Sequence, residues 1–306
     1  MKKQLIPIFV LSALLAGCSA GEETGNALPD DAPVPILLGS GLSMEAATKA
    51  PVNTNDPFTA GIAGWETKGT PDYTAAPTWG GGDVTIDATA STAPSAVTWN
   101  PQQYYHADED VETYMIAWHP AGTWSAAGNT VTFPTTDGSV DVLWASPISG
   151  TKADKGTPLN LAFEHLTAQL NFQVMAGTGL AAGTTVQEIT VQGVQVPTGL
   201  KIENGTLIAG AVANYAALTG GSAVIGSTAT AVGNPLMIVP TGDNTLTVSV
   251  KTSGSAAPLT GTVTLTENMQ AGKAYTITLT FTQAAIDVTS TVAEWTPVSG
   301  GEGTIK

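Results

Sequence analysis

The residue with the clearest chemical assignment is Cys18, the only cysteine in the chain. It closes the run Leu15-Ala16-Gly17-Cys18, behind Lys2, Lys3 and an apolar stretch from Leu5 to Leu15. That stretch is too short to span a bilayer as a helix and has the length of a signal-peptide core. The run is a lipobox: small residues admit a signal peptidase, and the next residue's thiol takes a diacylglycerol. Residues 1–17 are therefore expected to be a lipoprotein signal peptide and Cys18 the lipidation site. With Cys18 committed, no thiol remains for a disulfide, a cysteine zinc site or a cysteine nucleophile.

The three histidines, His106, His119 and His165, are far apart and match neither a two-His helical zinc pattern nor a nucleophile elbow. His106-Ala107-Asp108-Glu109-Asp110 offers nitrogen and oxygen donors. It lacks the glycine and the spaced terminal glutamate of a calcium loop, and reads as a solvated acidic loop. No triad or paired-carboxylate spacing stands out. The chain is expected to be no enzyme, with no metal and no cofactor.

Aromatic residues are unevenly placed. Trp65, Trp79, Trp99, Trp118, Trp124 and Trp144 fall in the first half, with Tyr104, Tyr105 and Tyr114. Flat aromatic faces suit sugar rings. Trp118 and Trp144 lie in alternating segments and read as core, whereas Trp79 and Trp124 sit among Gly, Pro and Ala and form the candidate ligand platform.

The elements that must position these residues read as strands. Of 306 residues 42% are hydrophobic and only 11% charged, and Thr, Ala, Gly and Val dominate, which favours short strands and tight turns. The formal charge of −15 opposes binding to nucleic acid or an anionic membrane face. All ten basic residues are lysines, so no guanidinium fork is available for phosphate.

Ser19 to Asp31 is acidic and poor in apolar residues, so 18–33 is expected to be a flexible tether. Ser19 is not the aspartate that retains many lipoproteins at the inner membrane, which points to outer-membrane delivery. Val34, Ile36, Leu38, Leu42, Met44 and Ala46 then share one parity, broken by Ser40, as a strand with one apolar face requires. Beyond them Lys49 and Ala50 lie in turn-forming sequence open to a protease.

Further strands are predicted at Phe58–Trp65, Val84–Ala88, Ser95–Trp99, Val111–His119, Thr130–Phe133 and Val140–Ala145. The second half gives Gln187–Val196, Gly205–Ala209, Leu236–Val239, Thr245–Val250, Thr260–Leu265 and Tyr275–Phe281. In the last of these Tyr275, Ile277, Leu279 and Phe281 alternate strictly with threonines. Between Leu161 and Val174 the apolar parity switches, which predicts a β-bulge near Glu164-His165, or a short helix over Glu164–Leu170. Ile286, Val288 and Val292, with Trp295 behind them, make a strand-like segment near the C-terminus. The length favours two domains, placed at 34–176 and 177–306 with the glycines Gly177, Gly179 and Gly183 between them.

The segment Leu161-Ala162-Phe163-Glu164-His165-Leu166-Thr167-Ala168-Gln169-Leu170-Asn171-Phe172 resembles the Phe-x-His-x-x-x-x-Leu signature of the fimbrillin family of bacterial pilus subunits. Lys152 to Pro158 is similar to that family's polar lead-in. Asp141-Val142-Leu143-Trp144-Ala145, Tyr114 to Pro120, Gly272-Lys273-Ala274-Tyr275 and the closing Trp295 resemble further family strands. The likeness runs from about Ala47 onward.

The resemblance implies an all-β chain of two transthyretin-like β-sandwich domains behind a lipoprotein signal peptide. It also implies outer-membrane export and assembly into a fimbria after a protease removes the first strand with its lipid. Mapped here, Val34 to Ala46 is the removable strand, Lys49 and Ala50 flank the cut, and Ile286 to Val298 is the donor strand. The best-known maturation in the family uses an arginine-specific protease, and this chain has no arginine, so another enzyme is expected. The expected partners are other pilus subunits or copies of itself, the outer membrane through the lipid, and host proteins or glycans. The competing reading is a monomeric surface lipoprotein that binds glycans through Trp79 and Trp124.

Overall fold

The alternation of Val, Ile, Leu and Thr along the chain produces strands throughout, with no α-helix among the described residues. The computed structural model describes residues 32–42, 58–86, 95–98, 101–125, 128–283, 286–294 and 302–304. The strands of the first half are β1 (Leu38–Leu42), β2 (Phe58–Thr67), β3 (Trp79–Ile86), β4 (Ser95–Thr98), β5 (Glu112–His119), β6 (Thr123–Ser125), β7 (Thr130–Thr132), β8 (Leu143–Gly150) and β9 (Leu159–His165). They continue as β10 (Ala168–Ala176), β11 (Thr185–Val194), β12 (Pro197–Lys201), β13 (Thr206–Ala209), β14 (Ala213–Leu218), β15 (Ala223–Val224) and β16 (Thr230–Ile238). The last are β17 (Thr245–Thr252), β18 (Leu259–Thr264), β19 (Lys273–Phe281), β20 (Ile286–Glu294) and β21 (Glu302–Thr304).

Seven strands close a barrel in the order β1-β4-β3-β2-β5-β8-β9, sealed by β1 pairing with both β4 and β9. Two further sheets run β16-β10-β19-β20-β21 and β14-β11-β17-β18. A small fourth sheet, β13-β12-β7-β6, joins strands from both halves of the sequence. Everything from Pro33 onward forms one compact unit.

Three apolar clusters account for its interior. One is drawn from Val34 to Phe163 and fills the barrel. A second, drawn only from Ala168 to Val292, lies between the two later sheets. A third joins Trp65, Ile116 and Trp118 to Leu200 and Ile202. The strict alternation at Tyr275, Ile277, Leu279 and Phe281 places all four in the second cluster, on a central strand that runs parallel to β10 and antiparallel to β20.

The parity switch at Glu164-His165 has a different cause from either the bulge or the helix expected there. Leu161, Phe163 and His165 turn one face of β9 inward, the chain breaks at Leu166-Thr167, and β10 begins a new sheet with Ala168, Leu170, Phe172 and Val174 buried. The switch marks a change of sheet. The glycines after Val174 come beyond the end of β10, whose core-facing residues belong to the later cluster.

Candidate functional site

The described feature with the most distinctive geometry is the slot that holds Val34 to Leu42. Val34, Ile36 and Leu38 point into the barrel core at 5%, 0% and 3% exposure, while Pro35 and Leu37 face outward. This is the alternation that the sequence predicts.

On one flank β1 runs parallel to β9, with Leu38 opposite Leu159 and Leu42 opposite Phe163, and Leu159 N–H donates to the Leu37 carbonyl at 3.0 Å. On the other flank Gly39 and Ser40 pair with Ala96 and Ser95 of β4. Upstream, Ile36 N–H donates to Gln103 O and Tyr105 N–H donates to Val34 O, each at 3.0 Å. Gln102 Nε2 adds a bond to the Ile36 carbonyl at 3.0 Å. The segment is thus hydrogen-bonded on both edges, and taking it out leaves two facing unpaired edges over an apolar trough.

Ser40, the residue that breaks the apolar parity, is also inside. It is fully buried, and its Oγ has no hydrogen-bond partner. An orphaned buried hydroxyl costs about 1–3 kcal/mol, so this strand is held less tightly than an all-aliphatic one would be.

Near the end of the slot lies a polar group buried beneath aromatic rings. His119, Leu143 and His165 stand in one register row across β5, β8 and β9. His165 and Asp141 have fully buried side chains, and His165 Nδ1 lies 3.1 Å from both carboxylate oxygens. Thr167 Oγ1 donates to the same carboxylate at 3.3 Å. His119 Nδ1 donates to the Thr59 carbonyl at 2.6 Å, and its ring meets Phe58 edge-on with centroids 5.1 Å apart. Burial pushes the His119 pKa below its ordinary value, with the Thr59 bond and Asp141 acting the other way.

The other predicted residues are spread over the molecule. Ile286, Val288 and Val292 are buried in the later core, on a strand paired with β19 over all nine residues from Ile286 to Glu294. The outer side of β20 carries β21 through Asp287, Val288 and Thr289. Trp79 is half-buried with its ring laid over Gly64, where a Cβ would strike it. Trp124 is half-buried too, beside Trp118 at 5.8 Å between ring centroids and over Gly80. The glycine neighbours that marked these tryptophans in the sequence are thus the floor on which their rings rest. In the His106–Asp110 loop, Lys68 pairs with Asp108 at 2.6 Å and Asp110 at 3.6 Å, which lowers the Asp108 pKa. Among the described residues no group of three or more His, Cys, Asp or Glu side chains is placed to hold a metal ion. Cys18, Met44, Ala46, Lys49, Ala50 and Trp295 lie outside the described residues, and Leu42 is described only as the end of β1.

The fimbrillin-like family model matches residues 47–295, most of the chain. This protein belongs to the fimbrillin-like family. Solved structures agree on the fold. A candidate cell adhesion protein from Bacteroides uniformis aligns with a TM-score of 0.58 at 19% identity, over 88% of this chain and 100% of that one. A second candidate cell adhesion protein, from Bacteroides ovatus, gives 0.54 at 13% identity over 88% and 100%. A fimbrial assembly protein from Parabacteroides distasonis gives 0.52 at 12% identity over 88% and 99%. No curated protein matches.

Membership in the fimbrillin-like family accounts for the Phe-x-His stretch, whose residues form the end of β9 and the step into β10. Sequence reasoning missed two features of the molecule. One is the histidine–aspartate group, because its members are 22 and 24 residues apart and meet only through strand register. The other is β12, whose Pro197 and Gly199 read as turn residues.

Proposed function

We propose that this chain is a structural or adhesive subunit of a bacterial surface pilus, exported as a lipoprotein on Cys18 and assembled by β-strand exchange. A cut between Lys49 and Ala50 frees the removable strand, Val34 to Ala46, and another subunit's strand fills its place. The partners are other pilus subunits or copies of this chain, and the outer membrane holds the subunit through its lipid before processing.

The observation that carries this reading is the two-sided hydrogen bonding of the segment from Val34 to Leu42 between β9 and the strand region of β4 and Gln103-Tyr105. Edges of this kind, once exposed, pair with any suitable strand. Magnitudes decide the fate of an emptied slot. Burying Val34, Ile36 and Leu38 is worth roughly 5–9 kcal/mol in total. That rivals the whole stability of an ordinary domain, about 5–15 kcal/mol. A subunit emptied of this strand must therefore refill the slot or come apart.

Ile286, Val288, Val292 and Trp295 are the candidate donor. Its pairing with β19 means that donation requires β20 to leave its own sheet, or the chain beyond Glu294 to reach across. The test uses the chain from Ser19 treated with a lysine-specific protease, with the new N-terminus read by mass spectrometry and assembly tracked by size-exclusion chromatography and negative-stain microscopy. Ladders or fibres that appear with an N-terminus at Ala50 are expected. A stable monomer bearing that N-terminus would refute strand exchange as the assembly step.

A further inference from the structure

At one end of the later sheet pair lies an open cleft of about 530 Å³. Its lining includes Leu180, Leu259, Phe281 and Ile286, with hydroxyls from Thr252 and Ser255, and none of its residues is charged. Leu259 is 49% exposed and Val224, beside the cleft through the Ile225 N–H bond to the Thr184 carbonyl, is 60% exposed.

The cleft opens at the start of β18, an edge strand. β18 pairs with β17 through six residues without a register shift, and no strand among the described residues pairs with its other side. In an antiparallel ladder every second residue turns its N–H and C=O away from its partner. At the far end the Thr264 carbonyl accepts from Ser290 Oγ at 2.9 Å, so the uncovered stretch is Leu259 to Thr262, beside the cleft. The usual guards of an exposed edge are absent: Leu-Thr-Gly-Thr-Val-Thr holds no charge, no proline and no bulge. An open edge with an apolar pocket at its end is the arrangement by which extended peptides are held, main chain on the edge and one side chain in the pocket.

We propose that the Leu259–Thr262 edge and its cleft take an extended, uncharged segment of a second copy of this chain, anchored by Val212. Val212 is the most exposed of the large hydrophobic residues described, at 66%, and it lies in the stretch from Gly205 to Thr241, which has no charged residue. Copies carrying a charge of −15 repel one another, and a neutral segment on a neutral cleft is where contact costs least. Knob and cleft are different patches of one chain, so the contact is heterologous and extends into rows of subunits. The choice of a second copy rests on the pilus-subunit reading; the edge and cleft do not.

The test is sedimentation velocity over a concentration series on the uncleaved chain from Ser19, in which the first strand stays in place and strand exchange cannot occur. Reversible self-association is expected. It should weaken at least about tenfold in Thr262→Lys, which guards the edge. The same loss is expected in Gly254→Phe, which fills the mouth, where an added Cβ meets nothing nearer than 4.0 Å. Val212→Ser should match them, with thermal unfolding unchanged in all three. A chain that stays monomeric at millimolar concentration, or association indifferent to Thr262→Lys and Gly254→Phe, would overturn the site. Sensitivity to those two but not to Val212→Ser would overturn the occupant. None of these results bears on assembly after proteolysis.

Discussion

At the scale of single residues, the polar group by the slot sets the chemistry of the fold. The Thr59 and Asp141 oxygens only accept, so Nδ1 carries the proton on both His119 and His165. The His119 pKa lies below 6.5 because burial disfavours the imidazolium. The unfolded chain therefore takes the proton first. The contribution of His119 is fully present above pH 6.5 and is lost as the pH falls through the depressed folded value. Melting temperatures measured between pH 7.5 and pH 5 should fall less steeply in His119→Gln than in the parent; equal slopes would exclude His119 as the titrating group. Asp141→Ala strips a buried carboxylate from His165 and Thr167 and should cost about 3 kcal/mol in a urea melt.

Elements are where the sequence is most legible, and also where it misleads. Alternation locates the segment from Val34 to Leu38 with the correct face inward, and β19 and β17 nearly to the residue, because period-two patterning is what a one-sided strand needs. The strand expected at Val140 to Ala145 is displaced: it runs Leu143–Gly150, and Val142 is buried ahead of it in the third cluster. The segment 164–170 misleads because an apolar phase change looks the same whether a strand bulges or the chain passes to another sheet. Partners, as opposed to strands, leave no trace in the pattern. The parallel seating of β1 on β9 joins residues about 120 apart. Ser40 offers a test at this scale. Ser40→Ala removes the orphaned hydroxyl and should hold β1 more firmly by about 1 kcal/mol, read as slower hydrogen exchange in Gly39 to Leu42. Faster exchange would show that the hydroxyl has a partner after all.

For the molecule as a whole, the small sheet β13-β12-β7-β6 decides whether the two halves act together. Gly199, Leu200 and Lys201 of β12 pair with Thr132, Val131 and Thr130, and Leu200 and Ile202 are buried against residues of the first half. Trp144 Nε1 donates to the Ile202 carbonyl at 2.9 Å. A Cβ at Gly199 would fall on the Val131 carbonyl, so Gly199→Ala should break this clasp and split one calorimetric transition into two. A subunit joined tightly across its length suits a filament under tension, and assembly of that filament requires β1 to leave its slot. Gly39 and Asn160 face each other across β1 and β9, and a chain from Ser19 has no other cysteine, so Gly39→Cys with Asn160→Cys makes a reversible lock. The decisive measurement is assembly of this variant after cleavage at Lys49, oxidised against reduced. Strand exchange predicts that the oxidised protein stays monomeric and that adding reductant starts polymerisation. Oxidised protein that polymerises as fast as reduced would contradict strand exchange at this slot.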